Sequence, residues 1–277
     1  MRKKKSLQRV GYGIFLTVVF LVMIIPIYYL LVTTFKSPAE AAASPLGLPK
    51  KLTFNNYAKA IAAMNYGQAI KNNLIIAVIS VVLLIVFASM TAYVIARSNK
   101  KMFKIMNGIF MVGLIIPFQI SIIPLYKMLA AVNLMNTHIA VILVDVFCIN
   151  LPLSIFLMRG FINTVPVELE EAAFIDGCGT FHCFRKIVFP LLKPIISTVA
   201  ILDMLAIWND FMTPLLMLQS SEKQVLLQQV YRNVGPFSTD WTSFFPMLVM
   251  STLPLVLFYL IMQKQIIEGV VAGAVKG

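Results

Sequence analysis

Three aspartates lie within long apolar stretches of this chain, where an ionisable side chain is costly. Asp145 lies in the stretch at residues 138–158, and Asp203 and Asp210 lie in the stretch at residues 195–218. Since carboxylates in such stretches are kept mainly where they face a polar interior, these residues predict a polar pathway or a proton relay. Asp203 and Asp210 are seven residues apart, a spacing that places them on one face of an ideal helix.

A different polar pattern occupies residues 159–194, which we predict to form a helix–turn–helix outside the membrane. Pro166 can begin the first helix, and the glutamates after it favour the positive helix end. Gly177 breaks the helical pattern, and Pro190 and Pro194 would end the second helix. The small alanines of the first helix would let another protein approach closely. A solvated linker is the alternative, and the residues alone favour neither.

We find no pattern of catalytic or metal-ligating residues. Cys178, His182 and Cys183 lie close together, but a fourth ligand is missing and the spacing matches no zinc pattern. His138 lies far along the chain from His182, so the histidines predict no catalytic pair. The sequence also contains no Gly-x-x-x-x-Gly-Lys-Ser/Thr phosphate loop. We therefore expect no enzyme, no metal site and no cofactor on this chain.

The composition is that of a protein embedded in lipid. Hydrophobic residues make up 60% of the 277 residues and charged residues only 12%, whereas soluble domains are about 25% charged. The net charge of +12 could suggest nucleic acid. However, the Lys and Arg residues cluster between apolar runs instead of alternating with aromatic residues. We therefore expect the lipid bilayer as a partner and no nucleic acid.

The apolar runs predict an all-α integral membrane protein with six transmembrane helices. The predicted spans are at about residues 11–35, 72–96, 105–126, 138–158, 195–218 and 241–263. Each is long enough to cross a bilayer, which takes about 20 residues. The first run is longer than the ~7 to 15 apolar residues of a signal peptide, so we expect an uncleaved helix. Residues 11–263 would then form one transmembrane domain, with the helix–turn–helix between the fourth and fifth spans.

Basic residues predict the orientation, because short cytoplasmic loops are enriched in Lys and Arg. With the amino terminus inside, roughly two thirds of the 23 Lys and Arg residues would be cytoplasmic, as this rule expects. Residues 1–10 and 264–277 would be cytoplasmic tails, and residues 159–194 a cytoplasmic loop. The segments at residues 36–71 and 219–240, the second with Gly235 and Pro236, would then face outside.

The helix–turn–helix carries a specific motif. It contains Glu171-Ala172-Ala173, followed by Gly177 and then by Ile187-Val188-Phe189-Pro190. This pattern resembles the EAA loop of permease subunits in binding-protein-dependent ABC importers. The longer run from Glu170 to Gly177 is similar to that of the carbohydrate branch, the maltose-type permeases.

Further positions along the chain resemble the same branch. They are Thr53, Asn56 and Tyr57, then Trp208-Asn209-Asp210-Phe211, and finally Gly273-Ala274-Val275-Lys276-Gly277. Phe189 stands where the family usually has leucine, and Asn73 where many members have serine. The resemblance covers nearly the whole chain.

We expect two sets of functional residues, the first implied by the resemblance and the second by the chemistry of its own side chains. The set expected to couple to an ATPase is Glu170, Glu171, Ala172, Ala173, Asp176 and Gly177. The set expected along the substrate pathway is Trp208, Asn209, Asp210, Asp203, Phe118 and Gln119. For the aromatic residues, an ordinary place at the lipid or at its interface is the alternative.

The resemblance also implies partners and a location. A second homologous permease subunit would complete a heterodimeric pore, and an ABC ATPase dimer would bind ATP and Mg²⁺. A solute-binding protein would deliver a sugar or sugar derivative from outside. The location would be the cell membrane of a bacterium or archaeon. An ion-coupled secondary transporter is the alternative function, with the three aspartates as its relay, but it would predict a two-fold repeat that we do not find in the sequence.

Overall fold

The computed structural model describes residues 2–234 and 240–274, with side chains at residues 11–234 and 240–263. Every regular element in these ranges is helical, which confirms the all-α prediction. The α-helices are α1 (Arg2–Thr33), α2 (Pro38–Ala43), α3 (Asn55–Ala63), α4 (Tyr66–Arg97), α5 (Lys101–Ile115), α6 (Phe118–Ala131), α7 (His138–Leu143), α8 (Leu151–Ile162), α9 (Glu168–Ile175), α10 (Thr180–Cys183), α11 (Phe189–Leu191), α12 (Lys193–Trp208), α13 (Met212–Met217), α14 (Leu226–Arg232) and α15 (Trp241–Ala274). Two π-helical segments, Val144–Asn150 and Phe184–Val188, join α7 to α8 and α10 to α11.

Four helical stretches are long and apolar enough to cross a membrane. They are Gly11–Thr33, Tyr66–Arg97, His138–Ile162 and Trp241–Gln263. Two bent helix pairs raise the number to six if each pair forms one span. The second pair, Thr180–Leu191 with Lys193–Trp208, overlaps the predicted span at residues 195–218 only in part, because it begins earlier and ends at Trp208. The described chain is therefore that of an α-helical membrane protein.

The first bent pair divides the predicted span at residues 105–126. Helix α5 ends at Ile115, α6 begins at Phe118, and the two axes differ by 106°. Pro117 explains the break, because the residue before a proline is disfavoured in the helical conformation. Ile116 is accordingly extended, with φ of −75° and ψ of 120°.

The predicted shared helix face of Asp203 and Asp210 is wrong. Helix α12 ends at Trp208, and the chain leaves the helix before α13 begins at Met212. Pro214 provides a physical reason, because a proline ring clashes with the carbonyl group four residues earlier, here that of Asp210. The two carboxyl groups are therefore positioned by different parts of the chain.

The predicted end of the second extramembrane helix is also wrong. Pro190 does not end it, because α11 continues through this residue after the π-helical segment Phe184–Val188. The chain turns at Leu192 instead, where α11 and α12 meet at 76°. Pro194 lies in the first turn of α12, a position where the missing N–H costs nothing.

The chain divides into two compact units, and Met1–Gly67 with Gln229–Leu253 forms the first. The segment between α1 and α3 of this unit is held by Lys36, which is fully buried. The Lys36 Nζ atom donates to the carbonyl oxygens of Ser44 (2.8 Å) and Pro45 (3.0 Å). Asn56 Nδ2 donates to the carbonyl oxygens of Thr34 and Lys36. These bonds hold the irregular chain on either side of the short helix α2.

The second unit comprises Gln68–Gln228 with Pro254–Gly277 and contains both predicted functional regions. Small residues bring α5 and α8 together, because a Cβ atom at Gly113 would lie 3.3 Å from Cγ of Pro152.

Some predictions lie at or beyond the described residues. Gly235 and Pro236 of the second outer segment lie outside them, as do Val275, Lys276 and Gly277. The described residues of the predicted tails, 2–10 and 264–274, are helical. Helix α1 already begins at Arg2, and α15 continues to Ala274.

Candidate functional site

Helix α9 ends in a turn that requires glycine. Gly177 follows the last helical turn with a φ of +83°. Its N–H donates to the Phe174 carbonyl at 3.1 Å, and the Cys178 N–H donates to the Ala173 carbonyl at 2.9 Å. This pair of bonds defines a Schellman motif, in which a left-handed glycine satisfies the last carbonyl groups of a helix. The turn therefore fixes where the chain leaves α9.

The six residues predicted to couple to an ATPase lie on two different sides of α9. Glu171, Ala172, Asp176 and Gly177 are exposed, and they continue into Ile175, whose side chain is 86% exposed. Glu170 and Ala173 are buried instead. Successive helical residues differ by about 100° in direction. Adjacent glutamates can therefore face opposite environments, and only four of the six residues form an accessible face.

Glu170 is held inside the protein by two side chains of α4. Its Oε1 atom accepts a hydrogen bond from Nε of Arg97 at 2.7 Å, in an ion pair, and its Oε2 atom accepts one from the Tyr93 hydroxyl at 2.7 Å. Arg97 also donates through Nη2 to the Val165 carbonyl at 2.8 Å. The Tyr93 ring packs against Phe184, with centroids 5.1 Å apart. The sequence-based prediction missed these contacts, because Arg97 was considered only as a cytoplasmic charge.

A surface groove of about 540 Å³ lies beside the glycine turn. Its lining includes Asp176, Gly177, His182 and Lys186. Charges of both signs meet here next to the exposed face of α9, as expected for a surface that binds a polar partner. Within the described side chains no cluster of three or more His, Cys, Asp or Glu residues could hold a metal ion.

The membrane aspartates fall into two separate sites. Asp203 is 2% exposed, and the Ser154 hydroxyl lies 2.9 Å from its Oδ2 atom. The same hydroxyl lies 3.0 Å from the carbonyl oxygen of Asn150, so its single proton serves one acceptor at a time. Asp203 therefore connects α12 to α8.

Asp145 and Asp210 form the other site. Asp145 is 1% exposed and lies in the π-helical segment Val144–Asn150, with the carboxyl group of Asp210 near enough to interact with it electrostatically. No hydroxyl, amide or cationic donor among the described residues reaches the two Asp145 oxygens. Asp210 Oδ1 accepts a bond from the Thr213 N–H at 3.3 Å. Facing carboxyl groups repel unless a proton, a cation or water lies between them. Among the predicted acids the structure thus pairs Asp210 with Asp145, not with Asp203.

The other predicted pathway residues lie at breaks between helices. Trp208 is buried at the end of α12, and Asn209 is exposed and donates to the Leu205 carbonyl at 2.8 Å. Phe118 is half-buried and Gln119 is exposed, and both lie in the first turn of α6 directly after the 106° bend. Their assignment to a substrate pathway stays a prediction.

The segment between α13 and α14 makes polar contacts that the sequence did not predict. Asn72 Nδ2 donates to the carbonyl oxygens of Glu222 and Gln224, at 2.8 and 2.9 Å. Asn136, with a φ of +58°, accepts bonds from the N–H groups of Gln219 and Ser220 through Oδ1. The buried amide of Asn72 in α4 and the half-buried amide of Asn136 in the loop before α7 therefore position the segment between α13 and α14.

Comparison with known proteins identifies relatives along most of the chain. A family model described as "Binding-protein-dependent transport system inner membrane component" matches residues 85–270. The chain is 35% identical over 256 residues to the "Probable starch degradation products transport system permease protein AmyC" of Thermoanaerobacterium thermosulfurigenes, covering 92% of this chain and 93% of that protein. It is 36% identical over 254 residues to the "Melibiose/raffinose/stachyose import permease protein MelC" of Bacillus subtilis, covering 91% of each.

A solved structure shares the fold. It is a crystal structure of a bacterial ABC transporter involved in the import of the acidic polysaccharide alginate, with a TM-score of 0.83 and 20% sequence identity. The match covers 94% of this chain and 96% of that chain.

Proposed function

Because this chain belongs to the family of inner membrane components of binding-protein-dependent transport systems, we propose that it is the permease subunit of an ABC importer for a sugar or sugar derivative. Relatives named as permeases for starch degradation products and for melibiose, raffinose and stachyose support the sugar class. As a member of a family of transport subunits, the chain moves a solute and carries out no catalysis of its own.

The observation that carries the coupling proposal is the exposed face of α9. Glu171, Ala172 and Ile175 project from a helix whose carboxyl end is fixed by the Gly177 turn. A small-faced helix of this kind fits a groove on a partner protein. The partner is an ABC ATPase dimer, which binds ATP and Mg²⁺, since the sequence contains no phosphate loop.

The remaining partners follow from the family. An extracytoplasmic solute-binding protein delivers the substrate, and a second homologous permease subunit completes the pathway across the bacterial or archaeal cell membrane. Both termini are cytoplasmic, in agreement with the distribution of basic residues. The substrate passes the helix breaks that carry Asn209 and Asp210 on one side and Phe118 and Gln119 on the other. Trp208 and Asp203 are both buried, so they lie behind the residues that line this path and hold them in position.

The test is purification of the complex by a tag on this chain. We expect an ATPase to co-purify, and its ATP hydrolysis in lipid vesicles to rise when one sugar-loaded binding protein is added. Glu171→Lys should remove the ATPase, because a reversed charge on the exposed face opposes docking. Glu222→Lys is the matched control, since it reverses an exposed charge far along the chain from α9. Retention of the ATPase by Glu171→Lys would contradict the docking face.

The facing carboxyl groups of Asp145 and Asp210 favour one alternative, an ion-coupled transporter. Uptake into vesicles separates the two functions. An importer driven by ATP requires the nucleotide and tolerates collapse of the proton and sodium gradients. Uptake that persists without ATP and stops when the gradients collapse would support ion coupling instead.

A further inference from the structure

The two adjacent glutamates of α9 have different surroundings. Glu171 is exposed, whereas both carboxylate oxygens of Glu170 are already used, one by Arg97 and one by the Tyr93 hydroxyl. Glu170 is 3% exposed. Because so little of Glu170 is exposed, a partner protein has almost no access to its carboxylate. The role of Glu170 therefore lies in its contacts within this chain.

The contacts of Glu170 join two elements that the sequence separates widely. Arg97 is the last residue of α4, which is the membrane-spanning stretch Tyr66–Arg97, and Glu170 lies in the first turn of α9. The Arg97 guanidinium group reaches Glu170 and also the Val165 carbonyl, which lies just before α9. The start of α9 is thus bound to the end of α4 at two points.

Aromatic packing partly shields this ion pair from water, since the Glu170 side chain is 4% exposed and that of Arg97 is 16% exposed. Tyr93 is 6% exposed, and its ring lies against Phe184, which is buried in the π-helical segment Phe184–Val188. Charged hydrogen bonds are stronger where water is excluded. Breaking a buried ion pair leaves an uncompensated charge, so separation of the two side chains costs free energy. The three side chains therefore connect α4 and α9 more rigidly than a contact at the protein surface would.

We infer that Glu170, Arg97 and Tyr93 form a clamp that makes α9 and the cytoplasmic end of α4 move together, so that a push on α9 reaches the membrane span. Resting on the proposed function, this inference makes Glu170 a positioning residue for transport and leaves docking to Glu171 and its exposed neighbours. The two adjacent glutamates therefore have different roles. Glu171 contacts the ATPase, and Glu170 transmits the movement of the ATPase to the membrane span.

The first experiment tests the clamp without any partner. Glu170→Gln keeps the shape of the side chain but removes the charge that attracts Arg97. Hydrogen exchange of the α9 backbone in the purified chain should become about tenfold faster, the size expected for a lost charged hydrogen bond. Tyr93→Phe keeps the ring packing on Phe184 and should accelerate exchange by a smaller factor, about threefold. Unchanged exchange in both variants would overturn the clamp.

The second experiment tests what the clamp does in the assembled complex. Glu170→Gln should retain the co-purifying ATPase and its ATP hydrolysis, while sugar uptake per ATP hydrolysed falls about tenfold, since the lost charged bond no longer joins the two elements. Glu222→Gln is the matched control and should leave this ratio unchanged. Glu171→Lys provides the contrast, because it should remove the ATPase itself.

Three other outcomes of this experiment would contradict the inference. Loss of the ATPase in Glu170→Gln would make Glu170 a docking residue and overturn the inference, as would an unchanged ratio of uptake to hydrolysis. A parallel fall of uptake and hydrolysis in both Glu170→Gln and Tyr93→Phe would indicate general damage and also overturn it. If the unmutated chain retains no ATPase, the proposed function fails, and the exchange experiment still decides whether the clamp exists.

Discussion

The glycine turn after α9 predicts a sharp difference between two neighbouring glycines. Gly177 has a φ of +83°, whereas Gly179 has a φ of −75°. A Cβ atom at either position would meet no atom within 4 Å, so only backbone conformation separates them. Serine in the left-handed region costs about 1–2 kcal/mol. Serine also restricts the unfolded chain more than glycine does, which stabilises the folded state by about 0.4–1 kcal/mol.

The net loss for Gly177→Ser is thus about 1 kcal/mol, a roughly fivefold shift in local opening. Gly179→Ser should lose nothing, because serine accepts this backbone conformation and can cap α10. The assay is hydrogen exchange of the Gly177 and Cys178 amides, which donate to α9 carbonyls, corrected for intrinsic rates. Gly177→Asn should lie between the two, because asparagine tolerates the left-handed region. Equal exchange in the two serine variants would refute the reasoning.

Three further predictions concern the topology, a buried hydrogen bond and the acid sensitivity of the protein. In a cysteine-free background, a cysteine at Lys101 should be labelled only from the cytoplasm and one at Pro45 only from outside; the reverse pattern would invert the topology. Ser154→Ala should destabilise the purified complex by about 1–3 kcal/mol by removing the donor to buried Asp203, and an unchanged melting temperature would contradict this. Partial burial raises the pKa of Asp240, but hydrogen bonds from the side chains and N–H groups that follow it lower the pKa more. The stability from Asp240 is therefore complete above its unfolded pKa of about 3.9 and lost as pH falls through its lower folded pKa. Asp240→Asn should remove this part of the acid sensitivity of melting, and an unaltered pH profile would contradict it.

The sequence alone was sufficient for the fold class, because a bilayer imposes a simple rule on composition. Long uncharged runs must form helices there, since lipid offers no partner for the backbone. The predicted run at residues 241–263 coincides with the span Trp241–Gln263, and the run at 11–35 overlaps Gly11–Thr33. The extramembrane helix at Glu168–Ile175 and its glycine turn were also visible, because proline, glutamate and glycine have strong local preferences.

Breaks inside the spans were harder to predict from local pattern. Hydropathy does not register a change of direction, so residues 105–126 looked like one span although Pro117 bends the chain by 106°. The same limitation placed Asp203 and Asp210 on one face of a helix that in fact ends at Trp208. Pro117 and Pro214 were present in the sequence, but whether a membrane helix kinks or stops at a proline depends on what packs around it.

Tertiary structure alone decided which charges meet. Glu170 and Glu171 are neighbours with the same chemistry, and only the contacts of Glu170 with Arg97 and Tyr93 of α4 make one a member of a buried ion pair and leave the other exposed. Likewise, Asp210 lies near Asp145 in the folded chain, although the two residues are 65 positions apart in the sequence. Composition and periodicity determine that a segment becomes a membrane helix, because that depends on the segment and its solvent. The pairing of side chains depends on how helices pack against one another, and one sequence read along its length contains no direct measure of that.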